Sequence, residues 1–135
     1  MLQIGEVATR TGLSLRTIRH YDEAELVVPS ARSQGGFRLY TDADVERLLV
    51  IKRMKPLGFT LEEMRQLLET LATLTAPELP DLEASALRRR LNGFHEAAEA
   101  RCEALRTELA MAEEFAAVLT AQLQRTSAGP AVADA

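Results

Sequence analysis

Gln34-Gly35-Gly36-Phe37-Arg38-Leu39-Tyr40 has the pattern of a basic β-wing: a Gly-Gly turn, then a returning strand that alternates around Arg38. Just upstream lies Thr11-Gly12-Leu13-Ser14-Leu15-Arg16-Thr17-Ile18-Arg19-His20-Tyr21-Asp22. There Gly12 permits the positive φ of a helix stop, and Ser14 is a good N-cap for the next helix. Ile4, Val7 and Ala8 precede it at i, i+3, i+4, one face of a first helix. The second helix is predicted to run to about Ala24, burying Ile18 and part of Tyr21 and leaving Arg16, Thr17, Arg19 and His20 outside. Two short helices around a tight Gly-containing turn are a helix-turn-helix. A helix-turn-helix beside a basic wing points to duplex DNA.

Between these segments, Leu26-Val27-Val28 is β-prone and Pro29 blocks a helix, so the outgoing wing strand is expected at 26–28. Beyond the wing, Thr41-Asp42-Ala43-Asp44 caps a third helix. Its apolar positions Val45, Leu48, Leu49 and Ile51 carry it to about Leu57. Gly58 ends it, and Thr60-x-x-Glu63 is a capping box that opens a fourth helix reaching about Leu74. Lys52, Arg53 and Lys55 gather before Leu57-Gly58-Phe59, like the basic loop of a second helix-turn-helix.

Pro77 and Pro80 then break the chain, and Asp81 can cap a long helix over about 82–124. Along it Leu91, Ala98, Cys102, Leu105, Leu109, Ala112, Ala116, Leu119 and Leu123 form a heptad seam whose later spacings alternate three and four. Such a helix would be roughly 60 Å long. A head this small cannot cover its seam, so a partner helix is expected. Thr126–Ala135 is small and contains Gly and Pro, composition expected of a disordered tail. The expected organisation is a DNA-binding head over 1–75, a linker and dimerisation helix over 76–125, and a tail over 126–135. The fold class is mainly α.

The 135 residues carry a net charge of −4, which argues mildly against a DNA binder until its distribution is seen. Residues 1–75 hold ten Lys/Arg and ten Asp/Glu, and residues 76–135 hold six and ten, so the acidity belongs to the second half. Residues 10–40 are locally +2: Arg10, Arg16, Arg19, Arg32 and Arg38 stand against Asp22, Glu23 and Glu25. Nothing resembles a signal peptide or a membrane span. A lone Cys102 excludes a disulfide framework and a CxxC metal pair, which suits a reduced cytoplasm. No cofactor and no metal are expected.

Ile4-Gly5-Glu6-Val7-Ala8, the 11–22 segment, Gly36-Phe37-Arg38-Leu39-Tyr40-Thr41-Asp42-Ala43-Asp44 and Lys55-Pro56-Leu57-Gly58-Phe59-Thr60-Leu61-Glu62-Glu63-Met64 together resemble the MerR family of bacterial transcription regulators over residues 2–70. Residues 81–124 resemble that family's dimerisation helix in position and character. Arg19-His20-Tyr21-Asp22 is nearest in wording to the multidrug and thiopeptide-antibiotic regulators. The resemblance implies a winged helix-turn-helix head and a homodimer joined by an antiparallel coiled coil. It implies a pseudo-palindromic promoter operator, untwisted and bent so that RNA polymerase can engage both promoter elements. It maps Ser14, Arg16, Thr17, Arg19, His20 and Tyr21 to the recognition helix, Arg38 and Tyr40 to the wing, and Lys55 to the second basic loop. Glu25 stands where many members carry Gly. The sensor cysteines of the metal-responsive and iron–sulfur members have no counterpart, and the chain is read as ending after the coiled coil without an appended effector domain. A small ligand at the dimer interface, a protein partner, or no effector all remain open.

Several residues have a plainer explanation. Arg16, Arg19 and Arg38 can be solvated charges, but beside a turn and a wing they are assigned to DNA. Lys52, Arg53 and Lys55 sit where cations also favour a helix C-terminus. Cys102 on the seam is a small buried hydrophobe by default. In an antiparallel pair centred near residue 107, its sulfur and its mate's would lie roughly 15 Å apart, too far for a shared ion or a disulfide. His95 with Cys102 does not make a zinc site. Phe94 and Phe115 flank the seam and either pack on a head or line a small pocket. Arg88-Arg89-Arg90 is a solvated charge run. A DNA-bending architectural or phage-type accessory protein is the rival function, and no nucleophile–base or paired-carboxylate constellation suggests an enzyme.

Overall fold

Gly12 separates helices α1 (Ile4–Thr11) and α2 (Leu15–Glu23) in the computed structural model, which describes residues 1–133 and side chains as far as 127. Its φ of 73° is left-handed, and its amide closes α1 on the Ala8 carbonyl at 2.9 Å. Ser14 caps α2 as its sequence suggests: its oxygen accepts the Thr17 amide at 3.1 Å while its hydroxyl donates to that of Thr17 at 2.8 Å. Helix α3 spans Asp42–Met54 and helix α4 Leu61–Leu74. Between them Lys55–Leu57 tightens into a single 3₁₀ turn around Pro56, and Gly58 follows at φ 87°. The third helix therefore stops short of Leu57. Thr60 and Glu63 form the reciprocal capping box, at 2.9 and 3.1 Å.

The sheet departs from expectation. Strands β1 (Leu2–Gln3), β2 (Ala31–Arg32) and β3 (Arg38–Tyr40) form an antiparallel sheet in the order β1-β3-β2. Residues 26–28 are not the outgoing strand. The Leu26 and Val27 amides turn back to the Tyr21 carbonyl at 2.9 and 3.2 Å, closing α2, and both side chains enter the core. Pairing begins only beyond Pro29, with Ala31 opposite Leu39 and Arg32 opposite Arg38. Strand β1 was not anticipated; two residues are too few to show a period. Phe37, expected to share a buried face with Leu39, is 69 % exposed at the tip.

Val7, Ile18, Val27, Leu48, Ile51 and Met64 make the centre of the core, drawn from all four short helices and the α2–β2 connection. Asp44 is buried among them at 2 % exposure. It accepts from Ser30 Oγ at 2.6 Å and from the Thr41 amide at 2.9 Å, and Arg47 stands 3.5 Å away. Burial pushes its carboxyl up, but the Ser30 and Thr41 hydrogen bonds and the Arg47 charge outweigh this and hold it below the ordinary carboxylate range. A depressed folded pKa stabilises the fold in full above the unfolded value of about 3.9, and that contribution disappears as pH falls through the folded value. Asp44→Asn should cost ~1–3 kcal/mol at neutral pH. Its melting temperature should then fall less than that of the wild type between pH 7 and pH 3. Parallel pH profiles would remove Asp44 from the acid response.

The chain divides into two units, Met1–Phe94 and a second beginning at His95. In the first, α5 (Asp81–Ala133) begins after Pro80, and Phe94 meets Phe59 at a ring-centroid distance of 6.2 Å against the core. In the second, α5 continues past Thr126, so helix occupies most of the stretch expected to be a disordered tail. Residues 134–135 and the side chains from 128 lie outside the described residues. Among the described residues no helix is long and apolar enough to cross a membrane.

Candidate nucleic-acid interface

Arg16, Arg19 and His20 emerge exposed on one side of α2 at i, i+3, i+4, while Ile18 and Tyr21 bury the opposite side. Arg16 lies in the first turn, the part of a recognition helix that meets base edges. Ser14 remains exposed, although its hydroxyl serves the cap. Thr17 and Tyr21 line an open cleft of about 480 Å³ with Leu13, Lys52, Lys55 and Pro56. The fold therefore brings α2 and the loop of Lys52 and Lys55 to one surface. Tyr21 is buried to 2 % exposure, and that burial raises its phenol pKa.

Lys52 is more than a member of a charge cluster. Its ammonium donates to the Thr11 carbonyl at 2.7 Å, tying α3 to the end of α1. A Cβ at residue 12 would stand 2.8 Å from that ammonium, the far end of a flexible side chain that can shift, so it is the φ of 73° that calls for glycine here. Lys55 and Arg53 remain exposed.

Within the wing, the two assigned residues part company. Arg38 is partly exposed, at 24 % of its side chain, and its Nε donates to Asp22 Oδ2 at 2.6 Å. Tyr40 is wholly buried on the central strand, and its hydroxyl has no hydrogen-bond partner among the described residues. Burial, and after it the nearby Asp22 carboxylate, raise its phenol pKa. Tyr40 thus supports the wing from the core side.

Two residues make positioning contacts that escaped the sequence. Arg32 Nη2 reaches Asp22 Oδ2 at 3.4 Å, and its Nη1 donates to the Gly36 carbonyl at 3.2 Å. Arg65 of α4 donates to the Ala24 carbonyl at 2.8 Å, holding the end of α2. Nothing local in the sequence signals either. Next to this point Glu25 adopts φ 57°, a left-handed conformation unusual for a non-glycine residue.

Of the seam residues, Leu91 is half-buried in the first unit. In the second, Ala98 and Cys102 are half-buried, Ala112 and Ala116 are exposed, and Leu105, Leu109, Leu119 and Leu123 are 38, 59, 48 and 71 % exposed. Phe115, at 64 %, adds to that surface.

Two family models match the chain: MerR HTH family regulatory protein over residues 2–71, and MerR, DNA binding over residues 45–128. The HTH-type transcriptional activator mta of Bacillus subtilis (strain 168) is 48 % identical over 67 residues, covering 50 % of this chain and 26 % of mta. The chain thus spans about a quarter of the length of that relative. The lead(II) complex of the transcription regulator PbrR691 from Ralstonia metallidurans CH34 is 35 % identical, with a TM-score of 0.52 over 81 % of this chain and 83 % of that one. HiNmlR, a MerR family regulator lacking the sensor domain and bound to promoter DNA, is 21 % identical and has a TM-score of 0.69 over 93 % of this chain and 92 % of that one, a likeness of fold. With the winged helix-turn-helix geometry and both models covering half of the residues or more, the chain belongs to the MerR family.

Proposed function

We propose that this protein is a sequence-specific transcription regulator that binds a pseudo-palindromic promoter operator as a homodimer and distorts it to control initiation by RNA polymerase in the cytoplasm. The observation that carries this is the outward row Arg16, Arg19 and His20 on α2, a helix that also lines the cleft of Lys52 and Lys55 through Thr17 and Tyr21 and holds the wing's Arg38 through Asp22. Arg16, Arg19 and His20 read base edges. Ser14, Thr17, Tyr21 and Lys55 border the phosphates beside them, and Arg38 offers its terminal nitrogens to a flanking phosphate. The exposed leucines of α5 join two copies in an antiparallel coiled coil, with Ala98, Cys102, Ala112 and Ala116 allowing close approach. Cys102 packs in that seam.

Sequencing the genomic DNA captured by the purified protein tests the proposal. Recovery of a two-fold motif inside promoters, bound with a log–log salt slope corresponding to several phosphate contacts, is the expected result. Capture without a shared motif, or of attachment sites alone, would favour an architectural protein instead.

A further inference from the structure

Asp22 stands where the recognition helix meets the wing, and one of its oxygens takes a donor from each of two paired strands, the central β3 and the edge strand β2. Arg38 Nε reaches Oδ2 at 2.6 Å from β3, and Arg32 Nη2 reaches the same oxygen at 3.4 Å from β2. Arg32 and Arg38 are directly opposite in the antiparallel register. Like charges facing each other across two strands repel, so a carboxylate placed between them is what lets both arginines occupy one wing. The carboxylate is well shielded: 12 % of the Asp22 side chain is exposed, against 24 % for Arg38 and 50 % for Arg32. Arg32 also binds the Gly36 carbonyl at 3.2 Å, so the same network reaches the wing turn.

An arginine whose Nε is engaged keeps its terminal nitrogens for a second acceptor, but only in the orientation the first bond imposes. We propose that Asp22 is a positioning residue that fixes the wing to the recognition helix and holds Arg32 and Arg38 back from indiscriminate phosphate binding. It thereby raises discrimination between operator and random DNA. The inference rests on the DNA-binding function proposed above. It assigns a role in specificity to an acidic residue that would ordinarily count against DNA affinity. Discrimination gained by weakening the wrong complex is as effective as discrimination gained by strengthening the right one.

The test compares the full chain with Asp22→Asn, which keeps the shape and an acceptor oxygen but removes the charge. Binding to a random-sequence duplex and to the captured operator is measured across a salt series. The variant should bind random duplex about tenfold more tightly, with a salt slope steeper by about one to two as the arginines become free to neutralise phosphates. Operator affinity should not follow, so the operator-to-random ratio should fall about tenfold or more. A folded variant with unchanged slope and ratio overturns the inference while leaving the DNA-binding function intact. Absence of salt-dependent binding to any duplex by the wild type overturns both. A second measurement needs no variant: the Arg38 Nε–H resonance of the free wild type should exchange slowly with water. Rapid exchange there would show that the Asp22 contact does not hold, and would overturn the inference even if Asp22→Asn fails to fold.

Discussion

Leu105→Asp is expected to convert a dimer into a monomer whose affinity for a two-half-site operator is about 100-fold lower or worse, because the second half-site is no longer bound intramolecularly. Leu105, Leu109, Leu119 and Leu123 lie on one seam of α5 and are 38–71 % exposed in the single chain. Burying a leucine contributes roughly 1.5–3 kcal/mol relative to full exposure. Association costs roughly 4–15 kcal/mol, the same order as such a seam supplies. A carboxylate at residue 105 removes one apolar contribution and adds the desolvation of an unpaired charge, several kcal/mol more. In a symmetric dimer both effects count twice. Light scattering gives the mass, and circular dichroism should show the head still folded, since Leu105 is not part of its core. A variant that stays a stable dimer would show that the seam lies elsewhere.

Arg16→Ala is expected to lose roughly 1–3 kcal/mol on the operator, about 10- to 100-fold, with the loss concentrated at particular base pairs and little change on random duplex. Arg16 is exposed in the first turn of α2, where the Ser14 cap holds the helix start, and among the described residues no ion pair diverts it. Arg38 differs, since Asp22 already holds its Nε. Binding of single-base operator variants by Arg16→Ala would show relaxed preference at the contacted positions. Equal losses on operator and random DNA would make Arg16 a phosphate contact.

The helices of the head were legible in the sequence because their determinants are local. Ser14 bonds three residues ahead, as do Thr41 and Thr60 in their capping boxes, and Gly12 and Gly58 adopt the left-handed φ at helix ends that their positions suggest. The exposed row of Arg16, Arg19 and His20 follows from helical periodicity once Ile18 and Tyr21 are taken as the buried side. Tertiary structure decided what depends on distant partners. Leu26 and Val27 have strand-like side chains, yet the core claimed them and moved the strand to Ala31–Arg32. Tyr40 went inside because β3 became the central strand, flanked by a β1 too short to announce itself. Asp22 with Arg38, Lys52 with Thr11, and Arg65 with Ala24 are separated by 16, 41 and 41 residues. Composition showed the charges, but a charge finds its partner only when packing sets the distance, and no local window of sequence contains that distance.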